Sequence, residues 1–185
     1  MRYVVVDLEA TCWEERGSPE RMEIIEIGAV LLASSRGPVE REFGSFVRPV
    51  ESPLLSDFCT RLTSIRQQDV DGAATLPEVL PRFVEWIGGE PFVLASWGAY
   101  DLEQLRRDCR RHGLALPAGF ERHVNLKQEH ARLRGVRPMG MKRALAREGI
   151  PLDGTHHRGL DDARNIAKLA AIVLPQLEAE ASPPG

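Results

Sequence analysis

The sequence contains no apolar run of 18 residues, so no segment is expected to cross a membrane. Its start lacks a charged stretch followed by an apolar one, so no signal peptide is expected. Cysteine is scarce: Cys12, Cys59 and Cys109 are odd in number and far apart, with no CxxC pair. That argues against a disulfide framework and a cysteine-based zinc site, and for free thiols in a reducing, cytoplasmic setting. There is no internal repeat, low-complexity tract or interdomain linker. At 185 residues the chain is expected to form one domain over residues 1–180, with 181–185 as a disordered tail.

Negative charge is in slight excess, −3 overall, but it is unevenly placed. Residues 1–101 carry 9 basic and 17 acidic side chains, a balance of −8. Residues 102–148 carry 12 basic and 5 acidic, a balance of +7. An acidic first half beside a basic middle suits a protein that holds metal ions next to phosphates. Arg106, Arg107, Arg110 and Arg111 read equally well as such a surface or as a solvated helix face.

The pattern of elements begins with three strand-like runs, 2–7, 23–33 and 38–48. A turn at Ser34-Ser35-Arg36-Gly37-Pro38 makes the last two antiparallel. Helices follow around 54–64 and 76–88, the latter from Leu76, Val79, Leu80, Phe83, Val84 and Ile87 at helical spacing. A fourth strand spans 91–97, a helix runs from Asp101 to about Arg111, and a short strand lies near 122–126. Helices around 127–134, 139–148 and 159–179 complete the chain. An antiparallel meander followed by alternating strands and helices predicts an α/β domain built on a mixed five-stranded sheet flanked by helices.

The most informative segment is Tyr3-Val4-Val5-Val6-Asp7-Leu8-Glu9-Ala10-Thr11. Residues two apart on a strand share a face, so Asp7 and Glu9 stand side by side while Leu8 points away. Two close carboxylates repel unless a proton or cation sits between them. An isolated DxE is also compatible with solvated acids at a strand end. Asp101, just past the fourth strand, reads either as a helix N-cap or as a group facing the end of the first strand. The final helix opens His156-His157-Arg158-Gly159-Leu160-Asp161-Asp162. Asp162 shares a helical row with Ile166, Leu169 and Val173, the core-facing stripe, whereas Asp161 falls with Asn165 and Lys168 on the solvent side. An inward aspartate needs a partner. His157, five residues before Asp162, is off that face and is expected on the preceding loop.

Asp7, Glu9, Asp101 and Asp162 would give four carboxylates at one point. All-oxygen ligands favour Mg²⁺ or Mn²⁺. Two such ions about 3.5–4 Å apart serve in-line phosphoryl displacement. His157, with an ordinary pKa near neutrality, suits a general base on water.

These residues resemble the DEDDh (DnaQ-like) 3′→5′ exonucleases of ribonuclease-H-like fold. The segments Asp7-Leu8-Glu9-Ala10-Thr11-Cys12-Trp13, Glu23-Ile24-Ile25-Glu26-Ile27-Gly28 and Leu55-Ser56-Asp57-Phe58-Cys59-Thr60 are similar to the histone-mRNA/enhanced-RNAi exonuclease branch. So are Val124-Asn125-Leu126-Lys127 and His157-x-Gly159-Leu160-Asp161-Asp162-Ala163. Bacterial KinA-pathway-inhibitor-like proteins belong to the same group, and the likeness covers about residues 3–175. The resemblance implies that Asp7, Glu9 and Asp162 hold one metal, with Asp7 shared by a second that Asp101 serves. It implies His157 as the base, and Glu9, Ala10 and Thr11 at the 3′-terminal nucleotide. Trp13 and Trp97 are weaker candidates for base or ribose contacts. The implied partners are a single-stranded RNA or DNA 3′ end and the nucleoside 5′-monophosphate product. A stem-loop-binding domain beside the core is not expected from these residues, nor is structured-RNA recognition. A regulatory protein-binding module on the same scaffold is the rival reading. RNA against DNA preference, protein partners and oligomeric state are not legible.

Overall fold

The computed structural model describes residues 1–15 and 19–181. Five strands, β1 (Arg2–Ala10), β2 (Ile24–Leu32), β3 (Val39–Phe46), β4 (Phe92–Ser96) and β5 (His123–Asn125), form one sheet in the order β3-β2-β1-β4-β5. β1–β2 and β2–β3 pair antiparallel, whereas β1–β4 and β4–β5 pair parallel. This is the mixed sheet that the strand pattern predicts. β1 runs three residues further than its apolar run, because β2 pairs with it as far as Glu9↔Glu26 and Ala10↔Ile24. Asp7 and Glu9 therefore lie within the strand.

The helices are α1 (Asp57–Thr63), α2 (Gln67–Asp71), α3 (Leu76–Ile87), α4 (Tyr100–Arg111), α5 (Leu126–Arg134), α6 (Met141–Arg147) and α7 (Gly159–Ala181), with a short 3₁₀ turn at Pro19–Arg21. The stretch expected as one helix over 54–64 starts only after Ser56, whose hydroxyl accepts from the Cys59 N–H as an N-cap. α2 carries too few apolar positions to show periodicity and is absent from the sequence reading. Of the expected tail, Ala181 ends α7 and residues 182–185 lie outside the described residues.

Alternation along β1 divides the core. Val4, Val6 and Leu8 pack under α3 and α4 with Phe83, Leu105 and Phe120. Tyr3 and Val5 pack under α5, α6 and α7 with Leu126, Leu145, Ile166 and Val173. Asp7 and Glu9 continue the Tyr3–Val5 row and so face α7. On β2, Gly28 and Glu26 continue the row of Leu32 and Val30, which is the same face. α7 lies directly on that face: a Cβ on Gly28 would sit 1.9 Å from the carbonyl carbon of Gly159. Two glycines thus let a helix start touch sheet backbone opposite Asp7, which is paired with Gly28.

This contact makes Gly28 the most sensitive small residue in the sheet. Gly28→Ala is expected to destabilise by about 3 kcal/mol or more, since neither backbone can yield. Gly72→Ala, with nothing within 4 Å of the added carbon, should stay within about 0.5 kcal/mol. Urea denaturation of the two variants distinguishes a real backbone contact, which predicts unequal losses, from a merely loose packing, which predicts equal ones.

Candidate functional site

The cleft on the α7 face is lined by Asp7, Leu8, Glu9, Trp97, Tyr100, Asp101, Gly140, Met141, His156, His157 and Asp162, and holds about 320 Å³. Asp7, Glu9 and Asp162 each bring a carboxylate oxygen to within 4.8 Å of the others. Glu9, Asp101 and Asp162 are 9%, 5% and 4% exposed. One strand, one strand-to-helix junction and one helix start therefore converge on a single point.

Asp101 comes to it by topology. β4 runs parallel beside β1, so the turn leaving β4 meets the far part of β1. Asp101 lies in the first turn of α4 rather than at its N-cap, which is Ala99. Its Oδ1 accepts the Leu8 N–H at 3.0 Å, the orientation toward the first strand that one of its two sequence readings expected. Asp162 is buried beneath the first turn of α7, as its helical row requires. Its carboxylate accepts from the His157 N–H at 2.9 Å and contacts His156 Nδ1 at 2.9 Å. His157 stands on the loop before α7 in the left-handed region, φ +65°.

Electrostatics set this cluster apart. Burial, then Asp101, Glu9 and Asp162, push Asp7 well above the carboxylate range. Burial, then Asp162 and Glu26, raise Glu9 to about 8. Burial raises Asp101 to about 6 against the opposing pull of the Leu8 N–H. Burial and the neighbouring His156 hold His157 below its usual value, which keeps it neutral and basic near pH 7. Among the described residues no hydrogen-bond donor reaches the Asp7 or Glu9 carboxylates. Buried, mutually repelling and all oxygen, this donor set fits hard divalent cations.

Other expected site residues sit elsewhere. Ala10, Thr11 and Trp13 are not among the residues lining the cleft. Thr11 gives its N–H to the Glu23 carbonyl and its Oγ accepts the Glu23 N–H, which ties β1 to β2. Trp13 lies under the Arg21 guanidinium, 4.8 Å from the ring centroid. Trp97 lines the cleft but is 8% exposed, and its indole N–H goes to the Met139 carbonyl at 2.9 Å. Asn165, placed on the solvent side by its helical row, is fully buried. It holds the loop before α7 through the Asp153 N–H and carbonyl at 3.0 and 2.7 Å, so a side-chain amide overrides the periodic pattern. Of the α4 arginines, Arg111 is an internal anchor: it pairs with Asp108 and donates to the Met22 carbonyl at 3.1 Å.

Residues to which the sequence assigned no role also shape the site. Tyr100 and Met141 line the cleft. Glu26, cross-strand partner of Glu9, accepts from the Gly159 N–H at 2.9 Å and pairs with Arg158 at 3.1 Å through both carboxylate oxygens. It caps α7 and so fixes where Asp162 falls. Its two-residue spacing from Gly28 was the available signal, since that places both on one strand face.

An exonuclease family model (RNase_T) matches residues 4–170. ERI1 exoribonuclease 2 of Xenopus laevis is 38% identical over 190 residues, covering 91% of this chain and 28% of that protein. The Homo sapiens 3′-5′ exoribonuclease 1 is 34% identical over 180 residues, covering 92% of this chain and 51% of its own length. The crystal structure of the nuclease domain of 3′hExo, a DEDDh family member, bound to rAMP, superposes with a TM-score of 0.87 at 33% identity, covering 95% of this chain and 92% of that one. The chain spans about half or less of these two curated relatives. No helix among the described residues is long and apolar enough to cross a membrane.

The raised carboxylates predict a pH dependence of metal-free protein. Between the unfolded value near 4.5 and about 8 for Glu9, the folded state binds protons that the unfolded state has released, so stability falls as pH rises. In EDTA, Tm should drop from pH 5 to pH 8.5. Added Mn²⁺ should raise Tm more at pH 8.5 than at pH 5, because ligands must lose protons to bind it. A metal-free Tm that climbs across this range would contradict the described electrostatics.

Proposed function

The chain belongs to the exonuclease family, and on that premise we propose that it is a metal-dependent 3′→5′ exonuclease of single-stranded nucleic acid, RNA favoured and DNA also possible. The observation that carries this reading is the convergence of Asp7, Glu9 and Asp162 within 4.8 Å in a cleft shared with Asp101 and His157. The relatives' names support RNA as the substrate, and the rAMP in the 3′hExo structure supports a nucleoside 5′-monophosphate product.

Asp7, Glu9 and Asp162 would hold one divalent cation, Mg²⁺ or Mn²⁺. Asp7 and Asp101 would serve the second. Bound there, the pair would neutralise the scissile phosphate and make the attacking water more acidic. His157 takes the proton from that water as its oxygen joins phosphorus and the bond to the preceding 3′-oxygen breaks. Its lowered pKa keeps the ring unprotonated for this task. Glu9 lies next to the terminal sugar in this arrangement. The exposed ring of Tyr100, which lines the cleft, is better placed for the terminal base than Trp13. The exonuclease unit is taken as residues 1–180, and its three free cysteines suit a reducing, cytoplasmic setting.

The strand's backbone would leave over α5 and α6. Lys127 lies against Gly98, its Nζ 3.6 Å from where a Cβ would stand, and its charge reaches Asp101. Lys142 and Arg143 follow the cleft-lining Met141, are exposed, and form no ion pair among the described residues. The basic track is thus placed on α5 and α6, with Arg111 of α4 held inside the fold.

The test is digestion of 5′-labelled single-stranded RNA and matched DNA, with Mg²⁺, Mn²⁺ or EDTA, and with free or blocked 3′ ends. A metal-dependent ladder shortening from free 3′ ends is expected. No cleavage by folded, metal-binding protein would favour the regulatory-module reading. Asp162→Asn should abolish cleavage while the far-ultraviolet spectrum stays unchanged, and His157→Ala should lower kcat by about 10²–10⁴-fold. Lys142→Ala and Arg143→Ala should each reduce the salt slope of oligonucleotide binding by about 1, with dinucleotide hydrolysis nearly unchanged. An unaltered slope in the double variant would remove the track from α6.

A further inference from the structure

Asp162 belongs to two clusters of ligating atoms. One is the all-oxygen set with Asp7 and Glu9. The other joins it to His156 and His157, whose ring nitrogens and the Asp162 oxygen also lie within 4.8 Å of one another. We propose that this second set is a site for a borderline transition-metal cation of the Zn²⁺ type, and that filling it closes the nuclease site. The inhibitory half of the proposal rests on the exonuclease reading; the binding half does not.

Donor chemistry separates the two sets. Hard Mg²⁺ takes oxygen and keeps its water, whereas two imidazoles and one carboxylate are a donor set that zinc accepts with a fourth position left for water. For the same nitrogen donors, the late divalent metals bind more tightly than the early ones. His156 Nδ1 stands 2.9 and 3.2 Å from the two Asp162 oxygens. A cation held between them would take the place of that contact. Both histidines sit on one short loop and their rings stack at 4.0 Å with 20° between planes. The His156 side chain is 33% exposed, so the point is open from the cleft. In the hydrolytic arrangement His156 touches no reacting atom; it helps hold His157 below its usual value and shields Asp162.

The two occupancies exclude one another. Zinc bound here would draw the Asp162 oxygens from Asp7 and Glu9 and would engage the His157 ring that serves as the base. Loss of rate follows from both.

Co²⁺ is the spectroscopic probe. Titrated into the full chain in excess Mg²⁺, it should give a visible d–d band of one equivalent that Zn²⁺ abolishes. His156→Gln, and His156→Asn as a second variant, should lose that band while still binding Mn²⁺ by electron paramagnetic resonance. Removing a direct ligand costs more than the roughly 10–100-fold loss typical of an outer-shell partner. Zn²⁺ should therefore inhibit RNA digestion by these variants at least about 100-fold less potently than by the wild type, each measured against its own zinc-free rate. No cobalt band, or one that survives both substitutions, overturns the site. A band lost together with unchanged zinc inhibition overturns the closing of the nuclease. If no protein digests RNA even without zinc, the exonuclease reading fails, and the cobalt titration still decides the site.

Discussion

The start of α7 rests on the sheet with no side chain between them, and the cleft depends on that contact. Gly28 and Gly159 meet backbone to backbone where β2 is paired with Asp7. Any side chain at either position would lift the helix and carry Asp162 away from the β1 carboxylates. Glu26 then locks the orientation, because one carboxylate both caps the Gly159 N–H and pairs with Arg158. Close approach and capping are separate devices, yet both lie on the same strand face two residues apart. That face also carries Glu9 as Glu26's cross-strand partner.

Negative charge in the cleft is compensated unequally, and the inequality defines the chemistry. Glu26 has Arg158, and Asp101 has the Leu8 N–H and the field of Lys127. Asp7 and Glu9 have neither donor nor cation among the described residues, and burial with mutual repulsion favours their protonated forms. A pair of carboxylates kept unsatisfied by a rigid scaffold is poised to exchange those protons for metal, since the carboxylates cannot move apart to relieve the repulsion. The fold thus stores the demand for cations where a phosphate would lie.

The parts of this arrangement that follow from one-dimensional periodicity were legible in the sequence. The strand alternation placed Asp7 and Glu9 on one face, the helical row of Ile166, Leu169 and Val173 sent Asp162 inward, and His157 fell on the loop. The mixed sheet followed from the order of elements. What periodicity does not encode was missed. Asn165 is buried because its amide satisfies the loop at Asp153, which a polar letter in a helical wheel cannot reveal. Charge counting over 102–148 merged two roles: Arg111 is spent inside the fold, whereas Lys142 and Arg143 remain at the surface. The nucleotide contacts implied for Thr11 and Trp13 meet a structure in which one ties β1 to β2 and the other packs on Arg21.

His156 shows why adjacency in sequence is a poor guide to equivalence. It and His157 stack as neighbours, yet His156 meets Asp162 at hydrogen-bond distance through its ring nitrogen, while His157 does so through its backbone N–H. His157 adopts the left-handed region, φ +65°, while its ring stays stacked on that of His156. Asp162 therefore accepts one bond that any backbone could donate and one that only an imidazole supplies. The first fixes the carboxylate for hard cations. The second would make its occupancy sensitive to whatever competes for imidazole nitrogen, so on the proposed reading one aspartate serves both the oxygen site and a softer one.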